Sequence, residues 1–82
     1  MIHEWMERFK ECAFRPYTDI FGLDENIQDM KDLYFEVTGE HFYTFGYPVN
    51  YMYEEQLSCY AEHLKAVLNA ILTMKEVAYG EH

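Results

Sequence analysis

YMYEEQLSCYAEHLKAVLNAILTMKEVAY, residues 51–79, is the longest uninterrupted periodic stretch in the chain. Leu57, Leu64, Ile71 and Ala78 recur every seven residues, and Tyr60, Val67 and Met74 interleave at the complementary positions. These make three heptads of an a-and-d pattern, widened by Ala61 and Leu68 and uninterrupted by Gly or Pro before Gly80. The spacing predicts one helix from Tyr51 to about Tyr79. At 1.5 Å per residue, about 28 residues run roughly 42 Å. A domain of this size has a diameter of only about 30 Å. The helix is therefore expected to overhang its own domain by about two turns, with Ile71, Met74 and Val77 carrying the apolar stripe into the overhang. A second chain is the commonest cover for such a stripe, so a two-fold homodimer is expected, with Leu57, Tyr60, Leu64, Val67, Ile71 and Met74 as its seam. A kink, or full cover by the N-terminal helix, is the alternative.

Two shorter periodic stretches lie upstream. Ile2, Trp5, Met6, Phe9, Cys12 and Ala13 follow i, i+3, i+4, i+7 spacing and predict a helix from about Ile2 to Phe14, stopped before Pro16. Glu4 with Arg8 and Glu11 with Arg15 are acid-before-base i, i+4 pairs along it, each contributing about 0.3 kcal/mol. After Gly22, Asp24 reads as an N-cap and Glu25 as a first-turn acid. Ile27, Met30, Leu33, Tyr34 and Val37 then mark an inward face, and Gly39 closes the helix. The expected span is Asp24 to Thr38. Between Glu40 and Tyr53, Phe42, Tyr43, Phe45, Tyr47, Tyr51 and Tyr53 crowd around Gly46, Pro48 and Asn50. This reads as an irregular aromatic connector with a possible short strand at residues 42–45, and Asn50 as the cap of the last helix. The fold class is all-α: one domain over residues 1–82, three helices, the last the longest.

Half of the 82 residues are apolar and 18% are aromatic, which excludes intrinsic disorder. Fifteen acids against six bases give a net charge of −9, which argues against direct binding of nucleic-acid phosphates or anionic lipid. No apolar run reaches a membrane span, and residues 1–10 lack the apolar block of a signal peptide. A cytoplasmic location is the default.

The charge is not spread evenly. Ten acids between Asp19 and Glu62 face Lys31 alone, which accounts for the whole −9. Within that region Glu25, Asp29, Asp32 and Glu36 follow i, i+4, i+7, i+11 spacing and form one stripe on the second helix. Carboxylates at this spacing resemble phosphates along a nucleic-acid strand and steer a protein toward basic grooves. Glu40, Glu54 and Glu55 extend the acidic region, and Tyr47, Tyr51 and Tyr53 supply the rigid amphipathic anchors enriched at protein interfaces. The blander reading is a solvated face, with the aromatic rings plugging the core.

Catalytic signals are sparse. Thr18, Thr38, Thr44, Ser58 and Thr73 sit in no nucleophile motif, and there is no phosphate loop and no HExxH. Glu55, Cys59 and His63 at i, i+4, i+8 are at most half a zinc site, which Cys12 or His41 would have to complete. Cys12 and Cys59 read better as small buried hydrophobes. Neither an enzyme, a metal nor a cofactor is expected. In physical type the chain resembles two groups of small acidic proteins. One comprises phage-encoded inhibitors of nucleic-acid enzymes, such as anti-restriction and anti-CRISPR proteins. The other comprises immunity proteins and antitoxins that plug a toxin's basic active site. The resemblance implies a non-enzymatic DNA mimic that binds a basic protein. The competing expectation is a helical adaptor acting through its apolar seam.

Overall fold

In the computed structural model, residues 1–42 and 54–80 are described, and 85% of these are helical with none in a strand. The elements are α1 (Ile2–Phe14), α2 (Ile20–Thr38) and α3 (Glu54–Gly80). The aromatic connector beyond Phe42, including Tyr47, Asn50, Tyr51 and Tyr53, lies outside the described residues.

α1 has the expected bounds. Its face of Phe9, Cys12 and Ala13 is buried, with Ile2, Trp5 and Met6 packed at its edge. Arg15 leaves the helix in an extended conformation (φ −67°, ψ 124°), as a residue before proline must.

α2 starts earlier than its sequence suggests. The N-cap is Asp19, whose carboxylate accepts the Gly22 N–H at 2.9 Å, and Asp24 lies inside the helix. Gly22 is thus a first-turn residue, not a breaker. A Cβ there would stand 2.9 Å from the Tyr17 Cβ, so the glycine admits the incoming chain. The C-terminus is as expected. Gly39 takes the left-handed conformation (φ 77°) and its N–H returns to the Phe35 carbonyl at 2.7 Å. Leu23, Ile27, Met30, Leu33 and Val37 are buried.

In α3 the buried stripe is Leu57, Ala61, Leu64, Leu68 and Leu72, the last three with no exposed surface. This follows the 3.6-residue turn of a straight helix, and not the strict seven-residue repeat read from the sequence. By Leu72 the two patterns have drifted apart. Ile71 is half-buried, and Met74 and Ala78 face solvent. Leu57 and Leu64, expected in a seam between chains, are buried within their own chain.

Arg8 contacts Glu36 and Arg15 contacts Asp29, so α1 and α2 run antiparallel. Phe42 touches the rings of both Tyr34 and Tyr60, at 5.2 and 5.6 Å, which sets the end of α2 level with the start of α3. Lys65 sits over the Phe14 ring, so α3 runs alongside α1. The result is an up-down-up bundle measuring 46 × 26 × 16 Å. The core lies between the three helices.

Candidate functional site

α2 has one buried ridge, and its exposed sides differ in chemistry. The shoulder toward α1 carries the acidic stripe. Asp29 accepts from Arg15 Nη2 at 2.8 Å, and Glu36 accepts from Arg8 Nη1 and from Trp5 Nε1, the latter at 3.4 Å. The Arg8 hydrogen bond first, and Trp5 second, hold the Glu36 carboxyl below its usual range. The hydrogen bond to Asp29 raises the Arg15 guanidinium. Two of the four stripe carboxylates are therefore paired with arginines of the neighbouring helix. Glu25 and Asp32 are exposed and form no ion pair among the described residues.

The arginines do not serve the i, i+4 pairs that the sequence suggests. Arg8 turns to Glu36 rather than Glu4, and Arg15 to Asp29 rather than Glu11. Arg15 is further fixed by Asn26, the one buried polar residue among those described. The Asn26 amide accepts from Arg15 Nε and donates to the Arg15 carbonyl at 2.8 Å. A groove of about 170 Å³ between α1 and α2 is lined by Arg8, Glu11, Cys12, Arg15, Asp29, Asp32 and Leu33. Its walls carry both signs of charge, so it is a paired polar seam with little net field.

The remaining acids of the candidate surface are distributed toward one end. Glu40 is exposed just past the α2 cap, where its N–H donates to Thr38 Oγ1 at 3.1 Å. Glu54 and Glu55 are exposed in the first turn of α3, where the helix dipole favours them. These three share the end of the bundle where α2 finishes and α3 begins. Glu25 and Asp32 lie further along the outer side of α2.

The side of α2 opposite its buried ridge carries Phe21, Gln28 and Phe35 at seven-residue spacing, and Gln28 and Phe35 line a groove together with Lys31, Asp32, Glu36, His41 and Phe42. Phe21 is 80% exposed, and Phe35 stacks on His41 with ring centroids 4.5 Å apart. On α3, Tyr60, Val67, Ile71 and Met74 lie on the flank away from Glu62, Lys65, Ala66 and Asn69, which line a groove with α1. Among the described residues, two side-chain atoms, Asp24 Oδ1 and Tyr60 Oη, are buried without a hydrogen-bond partner. Burial pushes the Tyr60 hydroxyl up to about 12.

Cys12 is buried, its thiol raised mainly by desolvation, whereas Cys59 is exposed, against the expectation that both are core residues. His63 packs near the Phe42 ring at 5.7 Å. Among the described residues no group of three or more His, Cys, Asp or Glu could hold a metal ion. No described helix is long and apolar enough to cross a membrane.

Sequence reasoning missed Asn26, the exposed pair Phe21 and Phe35, and Leu72. The seven-residue spacing of Phe21, Gln28 and Phe35 was the available signal for the exposed rings. For Asn26 no local signal exists, because its partner lies eleven residues away across a turn. What the geometry defines is a small acidic three-helix protein with a paired polar seam between α1 and α2 and exposed aromatic rings on the outer side of α2. Comparison with protein-family models, with curated proteins and with solved structures gave no match.

Proposed function

We propose that the chain is a non-enzymatic protein-binding inhibitor whose unpaired carboxylates occupy the basic nucleic-acid groove of a partner enzyme, acting as a homodimer in the cytoplasm. The observation that carries this reading is the placement of the charge. The net −9 falls between Asp19 and Glu62, and Glu25, Asp32, Glu40, Glu54 and Glu55 remain without an ion pair among the described residues. Carboxylates left bare are available to a cationic groove, whereas Asp29 and Glu36 already satisfy arginines of their own chain. The contact set is therefore narrower than the four-residue stripe. In this reading Tyr47, Tyr51 and Tyr53 are the anchoring rings beside Glu54 and Glu55. The same chemistry suits a toxin's basic active site, so an immunity protein or antitoxin is the nearest variant.

Inhibition of restriction, CRISPR and toxin nucleases at low and high salt tests the proposal, with Glu25→Lys/Asp32→Lys beside the wild type. Expected is inhibition that fades at high salt and is lost in the double variant, because rim charges act through screened long-range attraction. Inhibition indifferent to charge reversal, or none on any enzyme tested, overturns it. The second reading, a helical adaptor, is favoured by one observation: large apolar side chains such as Phe21 and Met74 stand in solvent.

A further inference from the structure

A groove of about 290 Å³ runs between α1 and α3, on the side of the bundle away from the arginine-paired seam. From α1 it is lined by Met6, Phe9, Lys10 and Phe14. From α3 come Glu62, Lys65, Ala66 and Asn69, whose i, i+3, i+4, i+7 spacing places them on one helical face. Ala66 stops at its Cβ in the middle of that face, which leaves the gap between the helices unfilled. The walls are apolar: Phe9 is buried, and Phe14 meets it edge-on with ring centroids 6.1 Å apart while remaining 65% exposed.

The rim is cationic. Lys65 lays its stem along the groove with Nζ 5.1 Å from the centre of the Phe14 ring, and that Nζ donates to Glu62 Oε1 at 3.0 Å. An ammonium has three donors, so Lys65 keeps two for another acceptor. Lys10, on the opposite wall, forms no ion pair among the described residues. Two ammoniums thus line the groove against one carboxylate, a local balance of +1 on a chain of −9.

From this juxtaposition we infer that the groove is a binding site for a small amphiphilic carboxylate. The apolar chain lies along Met6, Phe9 and Phe14, and the carboxylate is held between Lys10 and Lys65. Shape selects a small molecule over a peptide. The volume lies at the lower end of small-ligand sites, and a helix about 10–12 Å across has no seat in it. Met6 to Phe14 spans about 12 Å along α1 at 1.5 Å per residue, so the slot is long and narrow and suits an extended aliphatic chain. Charge selects the head group. A carboxylate takes charge-assisted hydrogen bonds from both lysines, and an ammonium head would meet them as like charges.

The net charge of the chain makes the test sharp, because its overall field attracts cations and repels anions. Isothermal titration of the purified chain compares decanoate with decyltrimethylammonium, each below the concentration at which it forms micelles. Expected is one decanoate per chain, bound below about 1 mM, with the cation weaker by about tenfold or more. Lys10→Gln/Lys65→Met should weaken decanoate about tenfold, and Ala66→Leu, which fills the groove with an apolar side chain, should abolish its binding. Both variants should keep the helical circular dichroism. Phe21→Ser, which alters the ring most exposed on the outer side of α2, should change nothing. Three outcomes overturn the inference: no decanoate bound below about 1 mM, the cation bound as tightly, or decanoate binding that survives Ala66→Leu. No partner protein enters the experiment, so it stands or falls apart from the inhibitor reading.

Discussion

The α1 shoulder and the outer side of α2 are built on one helix, from the same number of turns, yet they meet solvent differently. Toward α1, Asp29 and Glu36 face solvent but are held by Arg15, Arg8 and Trp5. On the side away from the core, Phe21 is 80% exposed and Phe35 stacks on His41. The charged side is satisfied at two of its four carboxylates, and the rings of Phe21 and Phe35 are not covered at all by other helices among the described residues. A count of carboxylates therefore overstates how much of the acidic side is free for a partner, and a count of buried leucines understates how much apolar surface the fold leaves over.

The contrast can be broken most severely at the buried ridge of the same helix. Leu33 is 1% exposed, and Leu33→Ala should cost about 2–5 kcal/mol in urea unfolding, loosening both sides together. A smaller and one-sided effect is expected at the polar shoulder. Asn26→Ala strips the Arg15 guanidinium and carbonyl of a buried partner and should cost about 1–3 kcal/mol, with no change in self-association. If it costs nothing, the paired shoulder is ornament.

A weaker effect follows from pH. The Glu36 carboxyl is held below its ordinary value of 4.5, so the folded chain binds that proton less tightly than the unfolded one. Its contribution is complete above pH 4.5 and is lost as the pH falls through the depressed value. Fluorescence of Trp5, the chain's single tryptophan, should shift in that acid range, and Arg8→Met should move the shift toward pH 4.5. The smallest effect belongs to the outer side of α2. In dilute solution Phe21→Ser should change the thermal stability of the monomer by within about 0.5 kcal/mol, since nothing is packed there to lose.

Much of the fold was legible in the sequence. The α1 face and its stop before Pro16, and the Gly39 cap, are local signals, and local signals read well. What failed depended on longer reach. Gly22 looks like a breaker because its role, admitting Tyr17 and donating to Asp19, is set by the chain entering the helix. Leu72 escaped because a seven-residue template drifts against a 3.6-residue turn over four turns of α3. At the candidate site the i, i+4, i+7, i+11 spacing of the stripe correctly put four carboxylates on one side. It could not say that α1 would lie beside them with Arg8 and Arg15 in register. That register is a property of the packed pair, written in neither helix alone.

The length of α3 has a mechanical consequence. Among the described residues Leu72 is the last that is fully buried, and the helix continues to Gly80, which adds about 12 Å of rod beyond it at 1.5 Å per residue. Such a rod acts as a lever. A force or a cargo applied at its tip bears on the Leu68 and Leu72 contacts before it reaches α1 or the acidic shoulder. Tension at that end should therefore peel α3 from its tip inward and leave the α1–α2 hairpin, clasped by Asn26 and two arginines, to come apart last.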